Sequence, residues 1–297
     1  MAKRKGIILA GGRGTRLYPI TLGISKQLLP IYDKPMIYYP ISVLMHSGIQ
    51  DIAIITTPED QAQFQRTLGD GSQWGVNFTY IEQPAPDGLA QAYVLAEKFL
   101  DGAPSAMVLG DNIFFGHGLP ELLASADKKQ KGATVFGYRV ADPERYGVIG
   151  FDDKGQVTAL IEKPAVPPSR YAVTGLYYLD DTASDRAKSI EPSADRGELE
   201  ITTLLETYLS DGQLSVEQMG RGYAWLDTGT HASLLDAGNF VRTLSERQGQ
   251  QVGSPDEIAF ANGWITAQEL AKRADLFRQT SYGFYLSTLL APTAMKP

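Results

Sequence analysis

Gly6-Ile7-Ile8-Leu9-Ala10, running straight into Gly11-Gly12-Arg13-Gly14-Thr15-Arg16-Leu17, is the stretch that decides the fold. An apolar run without polar alternation describes a strand buried on both faces, the habit of parallel strands under helices. The glycines behind it let backbone N–H groups close on an anion. A loop leaving the first strand at the sheet's carboxyl edge is where open α/β sheets hold nucleotides. Two familiar phosphate loops are excluded. Leu17 stands where the dinucleotide fingerprint needs its last glycine, and no Gly-Lys pair for a P-loop occurs in the chain. Instead Arg16 follows the glycines, and Lys26 follows in Ser25-Lys26-Gln27-Leu28-Leu29-Pro30. A bare glycine loop would read as a tight strand-to-helix turn. Thr15, Arg16, Lys26 and Gln27 in this order favour a triphosphate site, where two cations offset charge that would repel an attacking anion.

Working outward, strands and helices alternate. The spacing predicts a helix over 36–47 ended by Gly48, a strand Asp51–Thr56, and a helix with Thr57 as N-cap and Pro58 in its first turn. A strand over 77–81, a helix over 89–100 and a strand over 106–109 continue the pattern. This predicts an α/β fold, Rossmann-like, with a mostly parallel central sheet flanked by helices. After Lys131 the chain turns β-rich, with strands Ala133–Arg139, Gly147–Phe151, 156–162 and 172–179 and a hairpin turn at Asp153-Lys154-Gly155. These read as a second β layer with one helix over 199–208. From His231 the chain reads as helical, with capping boxes at Ser254-Pro255-Asp256-Glu257 and Thr266-Ala267-Gln268-Glu269. The expected organisation is a catalytic core over 1–240, its nucleotide-binding part about 1–131 and its sugar-binding and metal part about 132–240, with a helical C-terminal appendage over 241–297. Phe260, Trp264, Phe284 and Tyr285 in that appendage suit either a subunit contact or packing on their own domain.

Composition sets limits. The chain has 297 residues, 43% hydrophobic and 21% charged, enough to build a core without staples. It has no cysteine, which excludes disulfides, thiolate metal sites and a cysteine nucleophile. A formal net charge of −7 supplies no basic face for nucleic acid, so no nucleic-acid partner is expected. Lys3-Arg4-Lys5 reads as a solvated lead-in to the first strand. The N-terminal apolar run is too short and glycine-bound for a signal peptide, and no stretch has the length of a membrane span. A cytoplasmic protein without a membrane partner is the expectation. His46, His117 and His231 show no metal-ligand spacing, and no Gly-x-Ser-x-Gly elbow occurs.

Asp111 follows the 106–109 strand and Asp227 follows Trp225-Leu226, so both could meet at the sheet's carboxyl edge. Two aspartates suffice for Mg²⁺ when a triphosphate and waters supply its other ligands. An aspartate at a strand end is also a common turn or cap residue.

Longer strings narrow the reading. Ser25-Lys26-Gln27-Leu28-Leu29-Pro30-Ile31-Tyr32-Asp33-Lys34-Pro35-Met36-Ile37-Tyr38-Tyr39-Pro40, Gln83-Pro84-Ala85-Pro86-Asp87-Gly88-Leu89-Ala90-Gln91-Ala92, Leu109-Gly110-Asp111-Asn112, Asp142-Pro143-Glu144-Arg145-Tyr146-Gly147-Val148, Glu162-Lys163-Pro164, Tyr171-Ala172-Val173-Thr174-Gly175-Leu176-Tyr177 and Gly222-Tyr223-Ala224-Trp225-Leu226-Asp227-Thr228-Gly229-Thr230 are its carriers. Over nearly its whole length the chain resembles the sugar-1-phosphate nucleotidylyltransferases, most closely their thymidylyl-transferring members. The resemblance implies the nucleotide-diphospho-sugar transferase type of fold with a smaller β-rich sugar-binding part. It implies transfer of a deoxythymidylyl group from dTTP to α-D-glucose 1-phosphate with release of pyrophosphate, the first step of dTDP-rhamnose and deoxysugar supply. It also implies Mg²⁺ on Asp111 and Asp227, with Arg16 and Lys26 as the catalytic cations.

Carried over position by position, Gly11, Gly14, Thr15, Arg16, Lys26, Gln27, Gln83, Gly88 and Asp111 bind the nucleotide. Asn112, Tyr146, Gly147, Glu162, Lys163, Val173, Tyr177 and Arg196 bind the sugar phosphate. A Gln amide can pair with the N3–H and O4 edge of thymine or uracil, and Gly88 leaves room for the base. The resemblance further implies a homotetramer with a regulatory nucleotide site near subunit contacts, open to feedback by a downstream dTDP-sugar. Arg13, Gly150, Thr203 and Leu205 depart from the family's usual residues. A uridylyltransferase acting on the same or a related sugar 1-phosphate, a nucleotide-sugar-consuming glycosyltransferase and a non-catalytic nucleotide-binding regulator are the competing readings. The chain has no Asp-x-Asp motif for the glycosyltransferase and keeps Lys26, Asp111 and Asp227, which a regulator would be expected to lose.

Overall fold

The structure, a computed structural model, describes residues 2–12, 14–194 and 196–291. In chain order the elements are β1 (Lys5–Leu9), β2 (Pro30–Ile31), β3 (Lys34–Pro35), α1 (Tyr38–His46), β4 (Asp51–Thr56), α2 (Pro58–Leu68), β5 (Asn77–Glu82), α3 (Gln91–Leu95), α4 (Glu97–Leu100), β6 (Ser105–Leu109), β7 (Asn112–Gly116) and α5 (Leu119–Lys128). They continue with β8 (Ala133–Arg139), β9 (Gly147–Phe151), β10 (Val157–Glu162), β11 (Tyr171–Leu179), α6 (Ala183–Ser189), α7 (Ile201–Ser210), β12 (Leu214–Met219), β13 (Tyr223–Asp227), α8 (His231–Gln248), α9 (Pro255–Ala261), α10 (Ala267–Leu276) and α11 (Ser281–Thr288). Short 3₁₀ turns, among them Thr15–Leu17 and Lys26–Leu28, fill the stretch between β1 and β2.

The central strands β5, β4, β1 and β6 run parallel, with β1 between β4 and β6. Alternation along each strand feeds two helical layers. Ile8, Ile52, Ile54, Ala106 and Val108 pack on the side of α1, α2, α5 and the C-terminal helices. Ile7, Leu9, Ile55 and Met107 pack on the side of α3, α4, α6 and α7. Being covered on both faces is why β1, β4 and β6 carry no polar alternation, whereas the edge strand β5 alternates.

The β structure after Lys131 is not a second layer. β11 lies antiparallel to β6 and extends the same sheet. One edge of β11 carries β8, which pairs in turn with β12. The other edge is shared: Leu176 to Leu179 face β6, while Ala172 faces Val148 of β9, which forms the hairpin with β10. Between these halves β11 bulges, the four steps from Val173 to Tyr177 opposing only two of β8. A bulge bends a strand and re-aims its backbone, and here it opens a gap between the end of β6 and the β9–β10 hairpin.

Local signals held unevenly. Thr57 caps α2 as expected, its hydroxyl accepting from Asp60 N–H. The helix expected over 36–47 starts at Tyr38, and the Met36 and Ile37 N–H groups before it donate to the Leu29 and Gln27 carbonyls. The helix expected over 89–100 starts at Gln91 and breaks at Ala96. Thr266 and Glu269 form a full capping box. Ser254 accepts from Glu257 N–H, but the reciprocal half is missing, since the Glu257 carboxylate faces Tyr285. β7, β12 and α6 were not legible as separate elements, and β13, read only as a strand ending before Asp227, includes Asp227 as its last residue. Of the four aromatic residues singled out near the C-terminus, Phe260, Trp264 and Tyr285 pack against the core, whereas Phe284 is exposed. Among the described residues no helix is long and apolar enough to cross a membrane.

A buried charge ties the last helices down. Asp256, fully buried, accepts from Arg273 Nε at 2.6 Å and from the Tyr282 hydroxyl at 2.8 Å. Removing one partner of a buried pair leaves an uncompensated charge. Arg273→Met is therefore expected to cost about 3 kcal/mol of unfolding free energy, read as a lower urea midpoint at unchanged slope. A shift worth under about 1 kcal/mol would mean that Tyr282 alone satisfies Asp256.

Candidate active site

Three carboxyl-edge loops converge on the gap beside the β11 bulge. The first leaves β1 and carries the glycines. Gly14 sits in the left-handed region at φ 57°, and its carbonyl accepts from Thr21 Oγ1 at 2.8 Å. A side chain there would press on Thr21 and on Lys26 Cβ. Thr15 and Arg16 are exposed on the turn that follows. Arg13 lies outside the described residues.

The second loop leaves β6. Asp111 is held against Lys26, whose side chain is buried and whose Nζ donates to Asp111 Oδ2. Burial alone would raise the Asp111 carboxyl. The Lys26 charge and hydrogen bond, with a 2.8 Å bond from Asn112 Nδ2, outweigh it and hold the carboxyl below its usual range.

The third loop leaves β13. This strand pairs with β7 so that Asp227 faces Asn112. Thr228 extends the ladder, its N–H and its Oγ1 both donating to the Asp111 carbonyl, at 3.3 and 2.8 Å. The two aspartates, far apart in sequence, thus become cross-strand neighbours. Burial first, then the charge of Asp111, push the Asp227 carboxyl above its usual range; Lys26 and Arg16 pull the other way. Two ionisable carboxyls held together in this way have a use for a cation between them. Among the described residues no cluster of three or more His, Cys, Asp or Glu could cage a metal alone. The donor set fits a hard divalent ion that takes its remaining ligands from phosphate and water.

Asn112 is the pin between these pieces. Its Oδ1 accepts from Trp225 Nε1 at 2.6 Å and from Gly175 N–H, in the bulge, at 3.2 Å. This buried amide joins β7, β13 and β11, and so couples the β7–β13 ladder to the pocket wall.

A cavity of about 360 Å³ opens at this junction. Gly11, Arg16, Gln27, Asp111, Asn112, Tyr146, Gly147, Glu162, Lys163, Val173, Tyr177, Arg196 and Asp227 all line it. Lys26 stands behind Asp111 rather than on the wall. At the far end, Glu162 meets Lys163 Nζ at 3.1 Å and Arg196 Nη2 at 3.3 Å. Lys163 closes β10 at φ 41°, a left-handed conformation costing a non-glycine residue roughly 1 kcal/mol. Its N–H is held by the Tyr146 carbonyl at 3.0 Å.

Sequence reasoning missed several wall residues. Glu200 bonds Arg196 at 2.6 Å and Glu198 lies 3.8 Å from it. Burial pushes the Glu200 carboxyl up against the pull of Arg196. The alternating charges of Arg196-Gly197-Glu198-Leu199-Glu200 were the available signal. Leu89, Arg145, Thr202 and Trp225 also line the cavity. Trp225 packs on Tyr146 with ring centroids 5.2 Å apart, and an apolar tryptophan on a strand gave no hint of a site.

Gln83 is placed elsewhere. It borders an adjoining cavity of about 380 Å³ with Gly12, Tyr18, Thr21, Thr57 and Pro86. The glycine loop is the partition, since Gly11 faces the first cavity and Gly12 the second. Gly88, at φ 109°, has a reason to be glycine besides room for a base. A Cβ there would stand 2.3 Å from the Leu199 carbonyl oxygen and 2.6 Å from its nitrogen. Leu199 N–H donates to Asp87 O at 2.7 Å, and Ala90 N–H donates to Leu199 O at 3.0 Å, so neither backbone can retreat freely. Gly88→Ala is expected to cost about 2 kcal/mol or more of stability and to loosen both cavities. Thermal denaturation with a matched activity assay checks it; a variant as stable and active as the parent would contradict the packing.

Residues 5–243 match the nucleotidyl transferase family. A glucose-1-phosphate thymidylyltransferase of Xanthomonas campestris pv. campestris is 62% identical over 289 residues, covering 97% of this chain and 98% of its own. One from Neisseria gonorrhoeae is 55% identical over 286 residues, covering 96% and 99%. Among solved structures, a Bacillus anthracis chain assigned as a glucose-1-phosphate thymidylyltransferase, in complex with sucrose, superposes with a TM-score of 0.75 at 42% identity, covering 81% of this chain and 96% of that one. A UDP-glucose pyrophosphorylase complexed with UDP-glucose gives a TM-score of 0.72 at 26% identity, covering 82% and 99%.

Proposed function

Because the chain belongs to the nucleotidyl transferase family, we propose that it transfers a deoxythymidylyl group from dTTP to α-D-glucose 1-phosphate, giving dTDP-glucose and pyrophosphate. The observation that carries this reading is the full-length 62% identity to a glucose-1-phosphate thymidylyltransferase, joined to a cavity lined by Arg16, Asp111 and Asp227 and by Lys163 and Arg196.

A phosphate oxygen of the sugar phosphate attacks the α-phosphorus, the bond to the bridging oxygen breaks, and pyrophosphate leaves. The attacking oxygen is already ionised, so no general base is needed. Catalysis is positioning and charge neutralisation. Gly11, Gly14 and Thr15 would present backbone N–H groups to the triphosphate. Arg16, exposed at the mouth, and Lys26, buried beside Asp111, would offset its charge. Gln27 and Gln83 would hold the nucleoside, with Gly88 beside the base. Asp111 and Asp227 would hold Mg²⁺, which when bound neutralises triphosphate charge.

At the other end Lys163 and Arg196 are the cations for the attacking phosphate. Their present partners Glu162 and Glu200 fix where they wait. Glu162 can accept two sugar hydroxyls, and a site built for such bonds rejects an epimer that leaves them unmade. Asn112, Tyr146, Gly147, Val173 and Tyr177 shape the remaining wall. The same proposal includes a cytoplasmic homotetramer, open to feedback by a downstream dTDP-sugar. The exposed Leu276 and Phe284 on the last helices are apolar surface that a subunit contact would cover.

The test is pyrophosphate release with α-D-glucose 1-phosphate and Mg²⁺, comparing dTTP, UTP, ATP, CTP and GTP. Release led by dTTP, with UTP second, is expected, because the two differ by one methyl, worth only about 1 kcal/mol in a pocket, and one 2′-hydroxyl. Release led by a purine triphosphate would contradict the reading.

A further inference from the structure

Gln83 does not stand alone. Its Nε2 donates to Gln91 Oε1 at 2.6 Å, and Gln91 Nε2 donates to Asp87 Oδ2 at 2.9 Å. Gln83 is buried, Gln91 half-buried and Asp87 exposed, so the relay runs from solvent to the cavity wall. Its direction is fixed at the solvent end. A carboxylate only accepts, so Gln91 must turn its NH₂ to Asp87 and its oxygen to Gln83. That oxygen also only accepts, so Gln83 must turn its NH₂ to Gln91. The Gln83 oxygen is then left against the glycine loop, where a Cβ on Gly11 would stand 2.2 Å from it. Among the described residues nothing donates to that oxygen, and one hydrogen of Nε2 is left over.

We propose that Asp87 and Gln91 are positioning residues that set which end of the Gln83 amide meets the base, and that this makes the site take thymine or uracil and refuse cytosine. The inference rests on the reading of Gln83 as a base-binding residue. Thymine and uracil offer an N3–H donor beside an O4 acceptor. Cytosine offers the reverse, an N3 acceptor beside an N4 amino donor. An amide locked with one oxygen and one hydrogen presented matches the first pattern and opposes the second. An amide free to rotate by half a turn serves either.

The experiment measures kcat/KM for dTTP and for dCTP with α-D-glucose 1-phosphate. Asp87→Asn replaces the acceptor by a group that can donate or accept, so the relay can run either way. The dTTP preference is expected to fall on the order of tenfold, mainly because dCTP improves. Asp87→Asn combined with Gln91→Glu puts a carboxylate at position 91 that accepts from both neighbours. It fixes Gln83 again and should restore the preference to within about threefold of the parent. Thermal denaturation confirms that each variant is folded. An unchanged ratio in the single variant overturns the inference, and so does a fallen ratio that the double variant fails to restore. A parent enzyme without preference for dTTP over dCTP overturns the base reading of Gln83, and this inference with it.

Discussion

Lys26→Ala will lower kcat at saturating substrates by about 10²–10³-fold, the loss seen when one donor to a developing negative charge is removed, about 3 kcal/mol. The lysine is buried, so its charge acts with little screening by water. It also does something Arg16 cannot do from the exposed turn, which is to hold Asp111 ionised against the effect of burial. Without it, the charge of Asp111 still acts on Asp227, and Arg16 is left to offset it. Lys26→Arg keeps the charge but not the shape, because the Lys26 side chain is buried and its Cβ lies close to Gly14. It should recover less than about tenfold of the loss. Single-turnover kinetics check both variants. Near-normal turnover in Lys26→Ala would remove the lysine from the reaction.

Asp227→Asn will show opposite signs in two measurements. Activity at fixed Mg²⁺ will fall by about 10²-fold, as expected when a metal that contributes several kcal/mol to the transition state loses a ligand. Raising Mg²⁺ will recover part of it. Stability of the metal-free protein will rise. The sign follows from the raised Asp227 carboxyl: a group whose folded value lies above its unfolded one costs stability once ionised, as it is at pH above that folded value. An uncharged isostere removes that cost, so the variant should melt above the parent in chelator at pH 8. A functional site that stores instability is a common trade. A variant that is both fully active and less stable would place Asp227 in the structural framework instead.

Much of the architecture was legible because it is local. The 6–10 run, the Thr57-Pro58 helix start and the Asp51–Thr56 strand are written in periodicity and capping chemistry, and the structure keeps them. What could not be read depends on tertiary contact. β7 and β13 are short and lie far apart in sequence, yet their pairing is what brings Asp111 beside Asp227. The supposed second layer is one sheet because β11 reaches both β6 and β9, and no residue in 171–179 announces a shared edge. The family motifs pointed to residues of which most line one cavity, while Gly14, Thr15, Lys26, Gln83 and Gly88 do not. They gave no sign that Gln83 lies across the glycine loop, that Asn112 pins three strands, or that Gly88 is pressed on Leu199. Each of those depends on what stands opposite, which a linear pattern does not carry.

The most direct measurement is product analysis by phosphorus NMR of the enzyme with dTTP, α-D-glucose 1-phosphate and Mg²⁺. The account predicts that both substrates disappear one for one, and that dTDP-glucose and pyrophosphate appear in equal amounts. Triphosphate breakdown that leaves glucose 1-phosphate untouched, or no turnover at all, would contradict it.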